Sequence, residues 1–256
     1  MVFSTVSARQ KILEIESAIE LAFHFPMKDF PMAPARDVPI LVPGLLPPKM
    51  GLSFKEGQAR LLHDLASIEL QAMELGLRTL HEFPEAPQGF RDELVGVIRS
   101  ESYHLTLCLD GIEKLGFRWG DWPAHTMLWA AVDRTDSLLD RVLIVHRYLE
   151  GSGLDAGETL LRRLNAVLES PLHAIAKIIV KEEIEHVAFG SRWYREICRQ
   201  EKIDPQNDFA SRLESFRFRI PKRIEKISHT YRKMAGFTNF ELDYLECLRS
   251  RMAKFS

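Results

Sequence analysis

The stretch Leu94-Val95-Gly96-Val97-Ile98-Arg99-Ser100-Glu101-Ser102-Tyr103-His104-Leu105-Thr106-Leu107-Cys108 carries an acid where a hydrophobic residue belongs. Wound as an α-helix, it puts Leu94, Val97, Ile98, Leu105 and Cys108 on the face of Glu101, at offsets −7, −4, −3, +4 and +7. His104, at +3, joins that face. The same arrangement recurs downstream: Glu183 has Ala176, Ile179, Val180, Val187 and Gly190 at the same five offsets, and His186 at +3. Glu-x-x-His occurs only at these two places in the chain.

Glu69 is a third acid of this kind, with Leu62, Leu65, Ala66, Ala72, Met73 and Gly76 around it. If these segments are helices, all three carboxylates point into a core. A buried carboxylate without a partner costs several kcal/mol or takes up a proton to become neutral. Three such acids with two imidazoles call for cations, and two divalent ions held by about four carboxylates and two imidazoles meet that demand. Spacing supplies a fourth acid: Glu69 precedes Glu101 by 32 residues, and Glu150 precedes Glu183 by 33. The chain thus reads as two helix hairpins, each giving a lone Glu followed by a Glu-x-x-His. The metal set is Glu69, Glu101, His104, Glu150, Glu183 and His186, its four glutamates being the catalytic candidates. Beside Glu150 stands an alternative ligand one turn back, His146. Glu182 and Asp136 are candidates to orient the ligand histidines. Tyr194, at +11 from Glu183, falls on the ligand face.

The surrounding pattern is helical throughout. Residues 1–52 read as an arm: an amphipathic helix over about Ala8–Phe23, then seven prolines between Pro26 and Pro48. Residues 53–204 read as an antiparallel four-helix bundle. Ser53 with Glu56 predicts a capping-box start for its first helix, which Pro84 and Pro87 end. A second helix runs from about Gln88 to Leu115. Asp121 and Pro123 open a third, which stops at Glu150 before Gly151 and Gly153. Asp155 with Glu158 caps a shorter helix, and Pro171 starts one that reaches about Lys202. Residues 205–256 add helices, bent near Pro221, with Thr238 and Glu241 capping the last.

Composition narrows the function classes. The 256 residues carry a formal charge of −2, which gives no bulk attraction to nucleic acid or anionic lipid. The basic stretch Arg212–Lys233 reads as a solvated helix face, with nucleic-acid contact as the alternative. No apolar run is long enough to span a bilayer, and the opening residues lack signal-peptide character. Cys108, Cys198 and Cys247 show neither zinc-ligand spacing nor a disulfide framework, so a reducing cytoplasm is expected.

The string Ile68-Glu69-Leu70-Gln71-Ala72, the pair Glu101/His104, Glu150-Gly151-Ser152-Gly153-Leu154-Asp155 and Glu183-Ile184-Glu185-His186-Val187 resemble a bacterial ferritin-like family, catalogued as a domain of unknown function. That family is distantly similar to the diiron tRNA hydroxylases. The resemblance spans roughly residues 40–250, including Ala235-Gly236-Phe237-Thr238. It implies a ferritin-like diiron-carboxylate bundle with Glu69, Glu101, His104, Glu150, Glu183 and His186 as ligands, and it favours Glu150 over His146 through the Gly-Leu-Asp that follows. Ser67 stands where the family tends to have His, and Ser152 where it tends to have Arg; neither is a ligand position. The leading expectation is an O₂-dependent diiron oxidase or hydroxylase, loaded with two iron ions or with manganese. It acts on a small-molecule or RNA-linked substrate, draws electrons from a reductase, and is compatible with a homo-oligomer. The alternatives are an iron- or manganese-handling ferroxidase or storage protein, and a non-catalytic metal-binding helical module.

Overall fold

A computed structural model of the chain describes residues 2–27, 29–165 and 170–254. Among these residues the fold is all-helical; the nearest thing to a sheet is one isolated parallel bridge, Ile40 to Ala124. The chain divides into two compact units, Met1–Ala130 with Leu164–Lys177, and Ala131–Arg163 with Ile178–Ser256.

The first unit is organised on two long helices, α3 (Lys55–Glu82) and α4 (Gln88–Lys114). They run antiparallel, because Gly76 meets Ile98 near one end of the pair while Leu62 meets Gly111 near the other. Gly76 is required by that packing: a Cβ there would sit 2.5 Å from the Ile98 side chain. Leu62, Leu70, Leu94, Ile98 and Leu105 are fully buried between the helices and their neighbours. Each such side chain contributes roughly 1.5–3 kcal/mol. The expected capping box at Ser53 does not form. The helix begins one residue later than that reading allows, with Phe54 in the N-cap position and no side-chain cap. The turn ahead of it closes through the backbone instead, Phe54 N–H donating to Gly51 O at 3.0 Å.

The arm packs on this pair. Its expected single helix is two, α1 (Ala8–Leu13) and α2 (Ile15–His24), with Ser7 capping the first and a break at Glu14. The proline-rich stretch is extended apart from a 3₁₀ turn at Pro43–Leu45. Lys11 and Arg36 from the arm both reach Glu74 on α3. The Lys11 Nζ lies 2.5 Å from Oε1, and Arg36 binds both carboxylate oxygens at 2.8 and 2.5 Å.

The helix expected from Asp121 to Glu150 is the main correction. The Asp121 carboxylate accepts the Arg118 N–H at 2.8 Å, closing a turn rather than capping a helix. A short helix α5 (Met127–Ala130) follows. The long helix starts only at α6 (Leu138–Arg141), where Ser137 and Asp140 form a reciprocal capping box. It passes through a π-helical segment, Val142–Leu149, and continues unbroken into α7 (Glu150–Leu164).

Gly151 and Gly153 therefore do not end a helix, and Asp155 does not begin one. Gly151 is there for packing, since a Cβ would lie 2.7 Å from the Arg232 guanidinium. Asp155 faces inward, paired with Arg232 and Arg249 at 2.8 and 2.6 Å. Helix α8 (Pro171–Glu201) starts at its proline as expected. It is followed by α9 (Pro205–Phe216), α10 (His229–Met234) and α11 (Asn239–Lys254). The expected helix bent near Pro221 is in fact a non-helical connection between α9 and α10. The expected cap on the last helix forms: Thr238 and Glu241 exchange backbone-to-side-chain bonds of 2.8 and 3.2 Å.

Candidate metal centre

In the first unit, α3 supplies Glu69 and α4 supplies Glu101 and His104. All three are buried, at 3%, 1% and 0% exposure. Their ligand atoms lie within 4.8 Å of one another. His104 Nδ1 stands 3.5 Å from Glu69 Oε2 and 3.6 Å from Glu101 Oε2. Two carboxylates and an imidazole are thus convergent in an apolar setting of Leu62, Ala66, Met73 and Leu105.

The electrostatics show what this group calls for. Burial, and then the negative charge of Glu101, raise the Glu69 carboxyl well above the usual range. Burial works against charge on His104, but the bonds to Glu101 and Glu69 and their charges outweigh it and push the imidazole up to about 11. Burial thus disfavours two adjacent carboxylate charges while the carboxylates favour the charged form of His104, and a divalent ion would supply the same compensation. The neighbouring Cys108 thiol is pushed well above its usual value by burial and by the charge of Glu69, so it stays a neutral thiol lining the site.

The second unit holds a matching set. Helix α8 presents Glu183 and His186, with His186 Nδ1 at 3.5 Å from Glu183 Oε1 and both residues buried. Glu150 opens α7 at the end of the π-helical segment, where its N–H bonds back five residues to Val145 O. Glu150 is not at a helix terminus. It is buried, and His146 Nδ1 lies 2.8 Å from its Oε1. Among the described residues, Glu150 Oε2 and His146 Nε2 are buried without a hydrogen-bond partner. A mixed oxygen and nitrogen donor set of this kind suits iron, manganese or zinc.

Other candidates have different work. Asp136 accepts from Arg219 at 2.7 Å and from the Asp133 N–H at 2.8 Å, so its two oxygens are engaged away from the ligand histidines. The Tyr194 hydroxyl donates to Asp208 at 2.5 Å, and its ring packs against the Arg147 guanidinium. Glu185 is exposed and Glu182 half-buried. In the basic stretch, Arg212 pairs with Asp208 and Asp140, Arg217 with Glu214, and Arg219 with Asp136, while Lys222 and Lys226 are exposed. Ser67, at the position where the resembling family tends to have His, is buried and lies 3.4 Å from the His125 carbonyl.

The His146–Glu150 hydrogen bond is not announced by the helical pattern of the chain. Its only signal in the sequence is the i, i+4 spacing on an otherwise apolar run. No described helix is long and apolar enough to cross a membrane.

Residues 4–243 match the family described as "Protein of unknown function (DUF455)". An uncharacterized protein of Haemophilus influenzae is 32% identical over 234 residues, covering 86% of this chain and 81% of its own length. No solved structure matches.

Proposed function

For a chain that belongs to this family of proteins of unknown function, we propose a dimetal-carboxylate oxidoreductase of ferritin-like bundle architecture, in which Glu69, Glu101, His104, Glu150, Glu183 and His186 hold two iron ions. The observation that carries the reading is the buried convergence of Glu69, Glu101 and His104, whose ligand atoms lie within 4.8 Å of one another. The matching Glu150 and Glu183/His186 set on the second pair of helices supports it. Four carboxylates balance two divalent ions, which removes the cost of burying either charge alone.

When bound, a ferrous pair supplies the electrons that reduce dioxygen, and an organic substrate, small or RNA-linked, is oxidised with further electrons from a reductase. The chain's own residues do three things. The carboxylates fix and neutralise the ions, His104 gives up its proton as the site fills, and the apolar surround keeps bulk water away from the reaction. Manganese fits the same donors.

The test is anaerobic loading with Fe(II), a count of iron per chain, and then oxygen uptake after O₂ is admitted. Two ions per chain and prompt oxygen consumption are expected, both lost in Glu101→Ala and His104→Ala. No uptake by the wild type, or unchanged uptake in the variants, removes the proposal. Iron accumulation far beyond two per chain points to storage, and binding without oxygen consumption points to a non-catalytic module.

A further inference from the structure

We infer that His146 is a positioning residue for Glu150 and not a metal ligand, an inference that rests on the metal-binding reading above. The two side chains meet at 2.8 Å, Nδ1 to Oε1, and both are buried. An ionised carboxylate can only accept, so the shared hydrogen sits on Nδ1. That bond occupies Oε1 and leaves Oε2, which has no hydrogen-bond partner among the described residues, as the atom available to an ion.

The imidazole that delivers the bond is itself held. The edge-to-face ring of Phe189 lies 5.0 Å away at 90°. Gly190 lies against the base of the side chain, where an added Cβ would come within 2.5 Å of His146 Cβ. His146 is 1% exposed, so the ring has no room to swing. A free glutamate samples several rotamers, and the bond removes part of that freedom before any ion arrives.

Geometry and charge choose between the two candidate ligands. Nδ1 and Nε2 point away from one another across the imidazole ring. An ion on Nε2 and an ion on Glu150 Oε2 would therefore stand at opposite ends of the hydrogen-bonded pair, too far apart for one dimetal centre. One of the two residues ligates, not both. With Glu150 the four carboxylates cancel two divalent ions; with His146 in its place a net positive charge stays buried in an apolar core. The carboxylate is the ligand and the imidazole is its support.

The experiment compares wild type, His146→Leu and His146→Gln by anaerobic equilibrium binding of Fe(II), with X-ray absorption to count imidazoles per iron pair. Two imidazoles are expected in the wild type. His146→Leu should weaken binding of one ion by roughly 10- to 100-fold. His146→Gln, whose amide can donate to Oε1, should recover most of that loss. Three imidazoles in the wild type, or wild-type affinity in His146→Leu, overturns the inference while leaving the dimetal reading intact. A wild type that binds no iron overturns both. Should His146→Leu fail to fold, the wild-type imidazole count together with His146→Gln decides.

Discussion

Lys11 and Glu74, 63 residues apart, meet at 2.5 Å with both side chains wholly shielded from solvent. The Lys11 ammonium also donates to the Ala35 carbonyl at 2.8 Å, and Arg36 adds a second cation that grips both oxygens of Glu74. Burial lowers the lysine pKa, against the pull of Glu74. Removing one partner of such a set leaves a buried charge uncompensated, which costs about 3–5 kcal/mol. Glu74→Gln, which strands Lys11 and Arg36 together, is expected to lose stability on that scale in urea unfolding, and Lys11→Met, which leaves the Arg36–Glu74 pair intact, to lose less. Lys11→Met combined with Glu74→Gln should lose less than Glu74→Gln and Lys11→Met summed.

His63 sets an acid limit on stability. It is buried, stacked on Trp119 at 4.4 Å, and accepts the Gly120 N–H at Nε2. Burial lowers its pKa from 6.5 to about 4. The unfolded chain therefore binds the proton first as pH falls. The stability tied to the neutral ring is present above about pH 6.5 and is lost progressively down to about pH 4. His63→Phe should flatten that part of the unfolding free-energy curve, even if it lowers stability at neutral pH.

Metal affinity should rise with pH, because protons compete with an ion for Glu69 and His104, whose proton affinities are both raised. Calorimetric titration in buffers of different ionisation enthalpy should read net proton release. At a free ion concentration of about 100 times Kd, binding should add about 2.7 kcal/mol of stability, seen as a raised melting temperature. Equal melting with and without Fe(II) or Mn(II) would count against a metal centre.

Gly190→Ala tests the close approach of α8 to the π-helical segment. The new methyl would lie 2.5 Å from His146 Cβ and 3.1–3.2 Å from its backbone carbonyl, so the helices must part. A loss of about 1–3 kcal/mol is expected, with weaker iron binding than in a control such as Gly153→Ala, where nothing lies within 4 Å.

What can be read from the residues alone follows from periodicity and proline. Glu69, Glu101 and Glu183 stand among apolar neighbours, and Pro171 marks a helix start, so α3, α4 and α8 are legible. Local signals fail where tertiary contacts have other uses for the same residues. Gly151 looks like a helix stop, but it is small because Arg232 lies against it. Asp155 looks like a cap, but it is the centre of a buried ion cluster whose partners are 77 and 94 residues away. Asp121 looks like a helix start and closes a turn. The His146–Glu150 contact begins in a π-helical stretch, which no 3.6-residue pattern reveals.

That ion cluster bears on how the chain can be shortened. Asp155 lies on α7, the helix that Glu150 opens, and its two arginines come from α10 and α11. A fragment stopped at residue 204 would expose a bare carboxylate on the helix that also carries Glu150. Losing the terminal helices would take both arginines from Asp155, so a nonsense or frameshift lesion late in the reading frame should destabilise the helix that carries Glu150.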